Sequence, residues 1–264
     1  MSDYRLIGEA MDKQVPGSSG DPDYMMSLAR GLAVLRCFAD ERRPMTIAQA
    51  SRLTGLSRPA VKRCLYTLVR LGYAAQDGTH YTLRPKTLAL GYAYLSSSTL
   101  ATRAQPLLDR LRDELHESCS LGVIEEGEVY YVARAEVSRI MSIALRVGSR
   151  LPLYCSSMGR VLLAGQSRED RDAYLRRTDL KALTAKTETD PSRLHAIFDK
   201  VREEGHAVVD EELEIGLRSI AVPVMGPAGV MAAVNVGVQA SRVSAAGLRP
   251  RFLPALRRIA AELG

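Results

Sequence analysis

The residues best suited to chemistry in this sequence are cations. Between Arg42 and Gln76 the chain carries seven basic residues and no Asp or Glu. These basic residues are Arg42, Arg43, Arg52, Arg58, Lys62, Arg63 and Arg70. A compact unit with charge of one sign is suited to binding a polyanion, and duplex DNA is the polyanion that such a segment most often binds.

The positive charge is confined to one part of the chain. The net charge is +6 over 264 residues. Residues 24–98 hold eleven basic and three acidic residues, whereas residues 99–264 hold 23 basic and 22 acidic ones. This asymmetry indicates a local nucleic-acid surface rather than a protein that binds polyanions over its whole surface.

Two short predicted helices, joined by a turn, position these cations. Thr46 and Gln49 have the spacing of a capping box, which starts one helix, and Gly55 ends it. Ser57 is predicted to cap the next helix, and Pro59 falls in its first turn, where a missing N–H costs nothing. This arrangement predicts a helix-turn-helix.

A β-hairpin is predicted directly after the second of these helices. Asp77-Gly78 between two short apolar segments is a strong hairpin signal. The whole unit is therefore predicted to be a winged helix-turn-helix, whose second helix enters the major groove. The alternatives are a solvated helix face and, for the wing histidine, mere exposure. The predicted DNA contacts are Thr46, Ser57, Arg58, Lys62, Arg63, Tyr66, Thr79 and His80.

Changes in pattern along the chain predict four segments. Residues 1–22 are polar and are expected to be a disordered arm. Residues 23–86 form the winged helix-turn-helix, and residues 87–99 form a linker helix. Residues 100–264 combine helical periodicity with alternating strand patterns, so the fold class is α+β with a mostly antiparallel sheet.

Several local predictions are specific. The first helix is expected to follow Ser27 and to bury one apolar face. In the last segment, helices are predicted over 157–165, 168–177 and 191–204, a strand over 140–145 and a loop over 146–152. The expected buried face of the first helix comprises Leu28, Leu32, Leu35 and Phe38.

A second candidate site lies where Ser156-Ser157-Met158-Gly159 precedes and opens a predicted helix. Free amide groups at a helix start, together with two hydroxyls, suit a carboxylate. Ordinary capping by Ser156 or Ser157 is the alternative, and spacing alone favours it. Asn235 is a lone polar residue inside an apolar strand, where a buried amide needs a ligand or neighbouring backbone as its partner.

Catalytic signatures are absent from the sequence. It contains no nucleophile elbow, P-loop, H-E-x-x-H or Rossmann glycine motif. The acidic residues Asp210, Glu211, Glu212 and Glu214 are able to act as an acid/base pair, but no matching nucleophile accompanies them. We therefore expect a protein that is not an enzyme, with no catalytic residues.

The spacing of the cysteines and the hydropathy pattern predict where in the cell the protein is located. The four cysteines lie far apart and form no C-x-x-C pair, which is typical of reduced thiols in a cytoplasmic protein without a zinc site. The uncharged run from Ser219 to Ser241 is interrupted by Pro and Gly, so it predicts two strands and not a membrane span. The first residues lack the apolar core of a signal peptide. We expect a cytoplasmic protein with no metal, cofactor or membrane partner.

Taken together, these residues resemble the IclR family of bacterial transcription regulators from about Tyr24 to Gly264. Within the family, the narrower resemblance is to the PcaR, PcaU and PobR group, which regulates aromatic-acid degradation. The matching stretches are 27–35, 151–160 and 211–223 for the family, and 20–25 and 88–97 for the group.

The resemblance implies a GAF-like effector-binding domain and a dimer formed through the DNA-binding halves, often a tetramer overall. It also implies a small carboxylate effector, namely β-ketoadipate, protocatechuate or 4-hydroxybenzoate. Double-stranded operator DNA and RNA polymerase are the expected macromolecular partners. The expected effector contacts are Arg134, Ser156, Ser157, Met158, Asp210, Arg218, Ser219, Asn235 and Gly237.

The acidic stretch is a difficulty for an anionic effector. Unpaired carboxylates facing the ligand would repel it. Arg218 or Arg134 is expected to neutralise them or to grip the ligand carboxylate. Family members that use an acid at the position of Val209 make a contact that this chain lacks.

Two other functions stay open at this point. An architectural DNA-binding protein would need no effector, although residues 99–264 add almost no charge for such a role. An enzyme acting on small organic acids, with an accessory DNA-binding domain, is the second alternative.

Overall fold

The computed structural model describes residues 21–41, 43–137 and 145–264, without the side chains of Asp40 and Glu41. The chain divides into two compact units, Met1–Tyr94 and Leu95–Gly264. Most of the predicted arm and all but the last residue of the predicted strand at 140–145 lie outside the described residues.

The first unit holds three helices and a small sheet. A short 3-10 turn at Pro85–Thr87 precedes a fourth helix, which crosses into the second unit. The elements are α1 (Met26–Glu41), β1 (Met45–Thr46), α2 (Ile47–Thr54), α3 (Arg58–Arg70), β2 (Ala74–Asp77), β3 (His80–Leu83) and α4 (Leu88–Ser97).

Local signals define the ends of α2 and the start of α3. The amide of Gln49 donates to Thr46 Oγ1 at 3.3 Å, and the amide of Thr46 donates to Gln49 Oε1 at 2.8 Å. This confirms the capping box. Gly55 then takes a left-handed conformation with φ 69°, which ends the helix. Ser57 is the N-cap residue of α3 as predicted, although its side chain makes no capping hydrogen bond.

The buried face of α1 matches the predicted one in part. Phe38 is buried and Leu35 packs against the same core, as predicted, and Val34 and Cys37 are buried with them. Leu28 and Leu32 are instead 57% and 48% exposed. The helix carries apolar residues on both faces, so periodicity alone did not select the inner one. It also begins at Met26 and not after Ser27.

The small sheet is antiparallel with the order β1–β3–β2. The hairpin β2–β3 turns at Gly78, whose φ is 56°. β1 pairs Met45 with Tyr81; it has only two residues and left no alternating pattern in the sequence. The unit is thus a helix-turn-helix followed by a wing.

The second unit is built on one six-stranded sheet. Its elements are α5 (Thr99–Leu115), β4 (Ser118–Glu125), β5 (Glu128–Ala135), β6 (Arg150–Pro152), α6 (Ser157–Gly165), α7 (Arg168–Arg177), α8 (Pro191–Glu204), β7 (Ala207–Asp210), β8 (Leu217–Gly226), β9 (Gly229–Gln239) and α9 (Ala245–Leu263).

The sheet is antiparallel with the order β6–β5–β4–β9–β8–β7. Helices α5 and α9 cover one face, where Leu108, Leu111, Phe252 and Leu256 are completely buried. Helix α6 packs on the sheet as well. The predicted bounds of α6, α7 and α8 are confirmed.

The predicted loop over 146–152 was partly wrong. Its last three residues form β6, which pairs Leu151 with Val129 at the sheet edge. Three residues are too few to show the alternation that marks a strand.

Candidate functional site

The solvent side of α3 presents the predicted cations. Val61, Leu65 and Leu68 are buried on its inner side. The opposite side of α3 exposes Arg58, Lys62, Arg63 and Tyr66. Ser57, just before the helix, and Thr79 and His80, in the wing, are exposed as well. In the part of the chain that the structure describes, Arg58, Lys62 and Arg63 have no ion-pair partner, so the positive face is not neutralised internally.

Thr46 differs from the other predicted DNA contacts. Its hydroxyl donates to Gln49 Oε1 at 2.9 Å and accepts from the Gln49 amide. This use in the capping box leaves its hydroxyl less available to a phosphate than that of Ser57.

A cavity of about 70 Å³ lies between the large sheet and the start of α6. Its walls include the apolar side chains of Leu151, Leu213 and Leu217. Most of the predicted effector contacts line it. These are Arg134, Ser156, Ser157, Met158, Ser219, Asn235 and Gly237.

A β-bulge places two key side chains on the cavity face. Leu121 pairs with Ala133 but Gly122 pairs with Tyr131, so Val132 is the extra residue of β5. Strict alternation puts residues three apart on opposite faces, and the extra residue restores the same face. Tyr131 and Arg134 therefore both line the cavity.

Arg134 is the cation of the cavity. Its side chain is only 10% exposed, and its Nη1 donates to Ser120 Oγ at 2.8 Å. Nη2 lies 4.0 Å from Glu136 Oε1, a distant ion pair. Buried Nε has no hydrogen-bond partner among the described residues. The Nε and Nη2 edge of a guanidinium matches the two oxygens of a carboxylate.

The start of α6 supplies further donors. Ser156 Oγ accepts from the Gly159 amide at 3.2 Å and donates to the Pro152 carbonyl at 2.6 Å, so Ser156 caps the helix. Ser157 Oγ is buried and has no partner within the described residues. The amides of Ser157 and Met158 have no intrahelical acceptor, because they belong to the first turn. Ser156 therefore caps the helix, while the Ser157 hydroxyl and the amides of Ser157 and Met158 remain available as donors.

Asp210 and Arg218 are the predicted effector contacts that do not line the cavity. The antiparallel register sets them opposite each other on β7 and β8. Arg218 Nε donates to Asp210 Oδ1, and Lys186 Nζ lies 3.0 Å from Asp210 Oδ2. The two therefore neutralise each other at the sheet edge, and their role as effector contacts stays a prediction.

The Arg218 guanidinium, followed by Lys186, holds the pKa of the Asp210 carboxyl below its usual range. A folded-state pKa below the unfolded value means that the pair stabilises the fold at neutral pH. That contribution is lost as the pH falls through the folded-state pKa.

Two further acids of the stretch are also paired. Arg160 is buried and forms two 2.6 Å hydrogen bonds to the carboxylate of Glu212. Glu211 lies 2.9 Å from Lys186 Nζ and 3.4 Å from Arg218 Nη2. Arg218, Lys186 and Arg160 thus neutralise Asp210, Glu211 and Glu212 and reduce their repulsion toward an anion. Arg134 lies near Glu136 instead.

Sequence reasoning missed Tyr131 and Ser120. Both are buried, and the Tyr131 hydroxyl lies within hydrogen-bonding reach of Ser120 and Asn235. Burial is the largest influence on this hydroxyl and raises its pKa to about 12. Tyr131 was missed because strict alternation along β5 would place it on the opposite face of the sheet from Arg134, whereas the bulge at Val132 puts both on one face.

The described residues include no group of His, Cys, Asp or Glu able to hold a metal ion. Burial raises the pKa of the Cys119 and Cys155 thiols to about 12, so neither is a thiolate nucleophile at neutral pH. None of the helices described is long and apolar enough to cross a membrane.

Comparison with known families decides the identity of both units. Residues 27–78 match the IclR helix-turn-helix domain, and residues 92–264 match the bacterial transcriptional regulator IclR C-terminal domain. The chain belongs to the IclR family of transcriptional regulators. The family assignment confirms the expectation of a regulator and shows that the enzyme alternative was wrong.

Individual IclR-family proteins are similar along most of the chain. The Pca regulon regulatory protein of Pseudomonas putida is 51% identical over 95% of this chain and 87% of its own length. The p-hydroxybenzoate hydroxylase transcriptional activator of Acinetobacter baylyi is 36% identical over 91% of each chain.

Solved structures of ligand complexes are also similar to this chain, and one of them holds 4-hydroxybenzoate. The crystal structure of an IclR homolog from Microbacterium hydrocarbonoxydans, complexed with 4-hydroxybenzoate, has a TM-score of 0.76 and 26% identity. The match covers 90% of this chain and 97% of that one. The α+β fold with an N-terminal helix-turn-helix domain is confirmed by these comparisons.

Proposed function

We propose that this IclR-family protein regulates an operon for the breakdown of aromatic acids and responds to a small carboxylate. Helix α3 and the wing bind operator DNA, and the cavity beside α6 binds the effector. The names of the similar regulators support the pathway. The effector is β-ketoadipate, protocatechuate or 4-hydroxybenzoate, each of which carries a carboxylate.

The observation that carries this proposal is the set of buried, unused donors that line the cavity. Arg134 Nε and Ser157 Oγ are buried and lack partners within the described residues. A buried polar group without a partner costs about 1–3 kcal/mol. A carboxylate that accepts from these donors removes that cost, so such a ligand binds the folded protein strongly.

The DNA-bound species is a dimer, or a tetramer of two dimers. A dimer presents two copies of α3, which fit half-sites separated by about one helical turn, or roughly 34 Å. Effector binding favours one arrangement of the dimer and acts on the DNA-binding units through α4. RNA polymerase is the further partner at the promoter.

A thermal-shift panel of the three acids tests the effector site. A ligand that binds only the native state raises the melting temperature. Phenol is the control, because it lacks the carboxylate. A rise with one acid and none with phenol supports the proposal. No rise with any of the acids contradicts it and favours an architectural DNA-binding protein without an effector.

A further inference from the structure

The polar residues behind the cavity form one connected set. Arg134 Nη1 donates to Ser120 Oγ at 2.8 Å. The Tyr131 hydroxyl lies near both Ser120 and Asn235. Arg134, Tyr131 and Asn235 line the cavity, whereas the completely buried Ser120 lies behind it. We call these four residues the buried polar chain.

The strand register explains why they meet. Ser120 on β4 lies opposite Arg134 on β5 and opposite Asn235 on β9. Directly opposed residues of antiparallel strands point to the same face. The bulge at Val132 brings Tyr131 to that face too. The buried polar chain therefore crosses three strands, β5, β4 and β9, beneath the start of α6.

A guanidinium only donates, so Ser120 Oγ accepts from Arg134. This hydrogen bond uses Nη1 and leaves Nε, which has no partner among the described residues, available to a ligand.

We propose that Ser120 and Tyr131 are positioning residues for the effector site. Ser120 fixes the guanidinium of Arg134 through Nη1, so that Nε stays available to an acidic ligand. Tyr131 lies beside Ser120 and Asn235 and limits the orientations open to the Asn235 amide. This inference rests on the proposed function, since it describes how that cavity recognises its effector.

A double-mutant cycle tests the role of Ser120. The probe is whichever of 4-hydroxybenzoate, protocatechuate and β-ketoadipate binds the wild type most tightly by calorimetry. Ser120→Ala is expected to weaken binding about tenfold. In an Arg134→Ala background the same substitution is expected to have no further effect, because Ser120 acts through Arg134.

The matched control is Cys119→Ala. Cys119 is the neighbouring residue of β4, is equally buried, and lies on the face covered by α5 and α9. It is expected to leave the dissociation constant of the acid unchanged. An equal loss of affinity from Ser120→Ala in both backgrounds would overturn the positioning role, as would an equal loss from Cys119→Ala.

A second cycle tests the other end of the chain. Tyr131→Phe removes only the hydroxyl and is expected to weaken binding about tenfold in the wild type. In an Asn235→Ala background it is expected to have no effect. Full additivity of the two substitutions would overturn the link between Tyr131 and Asn235.

The same double-mutant cycles are also measured by urea unfolding of the ligand-free protein. These measurements separate the contacts among the four residues from the proposed binding of an acid. If none of the acids binds the wild type, the proposed function fails and the positioning role fails with it. The unfolding cycles still report on the chain itself. Coupling between Ser120 and Arg134 supports the chain, and strict additivity overturns it.

Discussion

We propose that Arg134 is the residue on which effector recognition depends most. Its Nε is buried without a partner among the described residues, and its charge has only a distant acid nearby. Arg134→Ala is expected to weaken binding of the acid effector about tenfold to a hundredfold, since charge-assisted hydrogen bonds contribute about 1.5–3 kcal/mol. Isothermal calorimetry measures this.

Arg134→Lys is the control for charge alone. Lysine keeps the positive charge but loses the planar fork of donors. We expect only partial recovery of affinity relative to Arg134→Ala. Unchanged affinity in both variants would mean that the ligand carboxylate binds elsewhere.

On α3, Arg63 is expected to contact operator DNA. Arg63→Ala is expected to weaken operator binding by about 1–3 kcal/mol if it reads a base edge. Arg70→Ala is the matched control, because Arg70 is also exposed but lies in the last turn of the helix. Recognition-helix contacts come mainly from the N-terminal part of the helix.

Fluorescence anisotropy with labelled operator, repeated at several salt concentrations, measures both effects. Loss of a phosphate contact alone reduces the salt dependence by about one counterion and weakens binding to all sequences alike. Equal effects of Arg63→Ala and Arg70→Ala would contradict a specific role for Arg63.

The first turn of α6 lies close to the backbone of Leu153, which follows β6. A Cβ added at Gly159 would lie 2.3 Å from both Cα and O of Leu153. Gly159→Ala is therefore expected to lower the free energy of unfolding by at least about 2 kcal/mol, since backbone has to move to remove the clash. Urea unfolding of the ligand-free protein measures it.

Gly237→Ala is the control for this substitution. Its added Cβ meets only Leu217 Cδ1, at 3.9 Å. We expect little change in the free energy of unfolding. A tolerated Gly159→Ala would show that α6 sits farther from Leu153 than described.

An ion pair fixes the loop before β8 to the same helix. Arg160 and Glu212 have side chains only 4% and 13% exposed. Glu212→Ala leaves a buried guanidinium without its partner, which is expected to cost about 3 kcal/mol of the free energy of unfolding. Glu262→Ala breaks the exposed pair with Arg110 and is expected to cost less than about 1 kcal/mol. Similar losses in the free energy of unfolding from Glu212→Ala and Glu262→Ala would contradict a larger contribution of the buried ion pair to stability.

At the scale of elements, sequence patterns predicted most helices because their signals are local. The capping box at Thr46 and the glycine at position 55 define α2 by contacts within one turn. The cavity depends on long-range register instead. The bulge at Val132 and the pairing of Asp210 with Arg218 arise from strand alignment, which a single strand's sequence does not specify.

The composition of the cavity was predictable in part for a related reason. Asn235 and the serines of the α6 start stand out as polar residues in apolar surroundings. Tyr131 does not, because an aromatic residue in a strand fits an ordinary core position. Only the paired sheet shows that its hydroxyl meets Ser120 and Asn235.

At the scale of the whole molecule, one chain contains a helix-turn-helix domain and an IclR C-terminal domain. The charge asymmetry assigns polyanion binding to the first unit, and the cavity assigns ligand binding to the second. Helix α4 crosses the boundary between the units. A ligand shifts DNA affinity only by its differential affinity for the DNA-binding and non-binding states.

The most direct measurement is operator affinity by fluorescence anisotropy across a titration of the acid that raises the melting temperature. We predict that saturating acid changes the dissociation constant for operator by about 5- to 150-fold in the wild type. Arg134→Ala should bind operator like the ligand-free wild type and ignore the same concentrations of acid. An unchanged operator affinity in wild-type protein saturated with the acid would contradict an effector-controlled regulator.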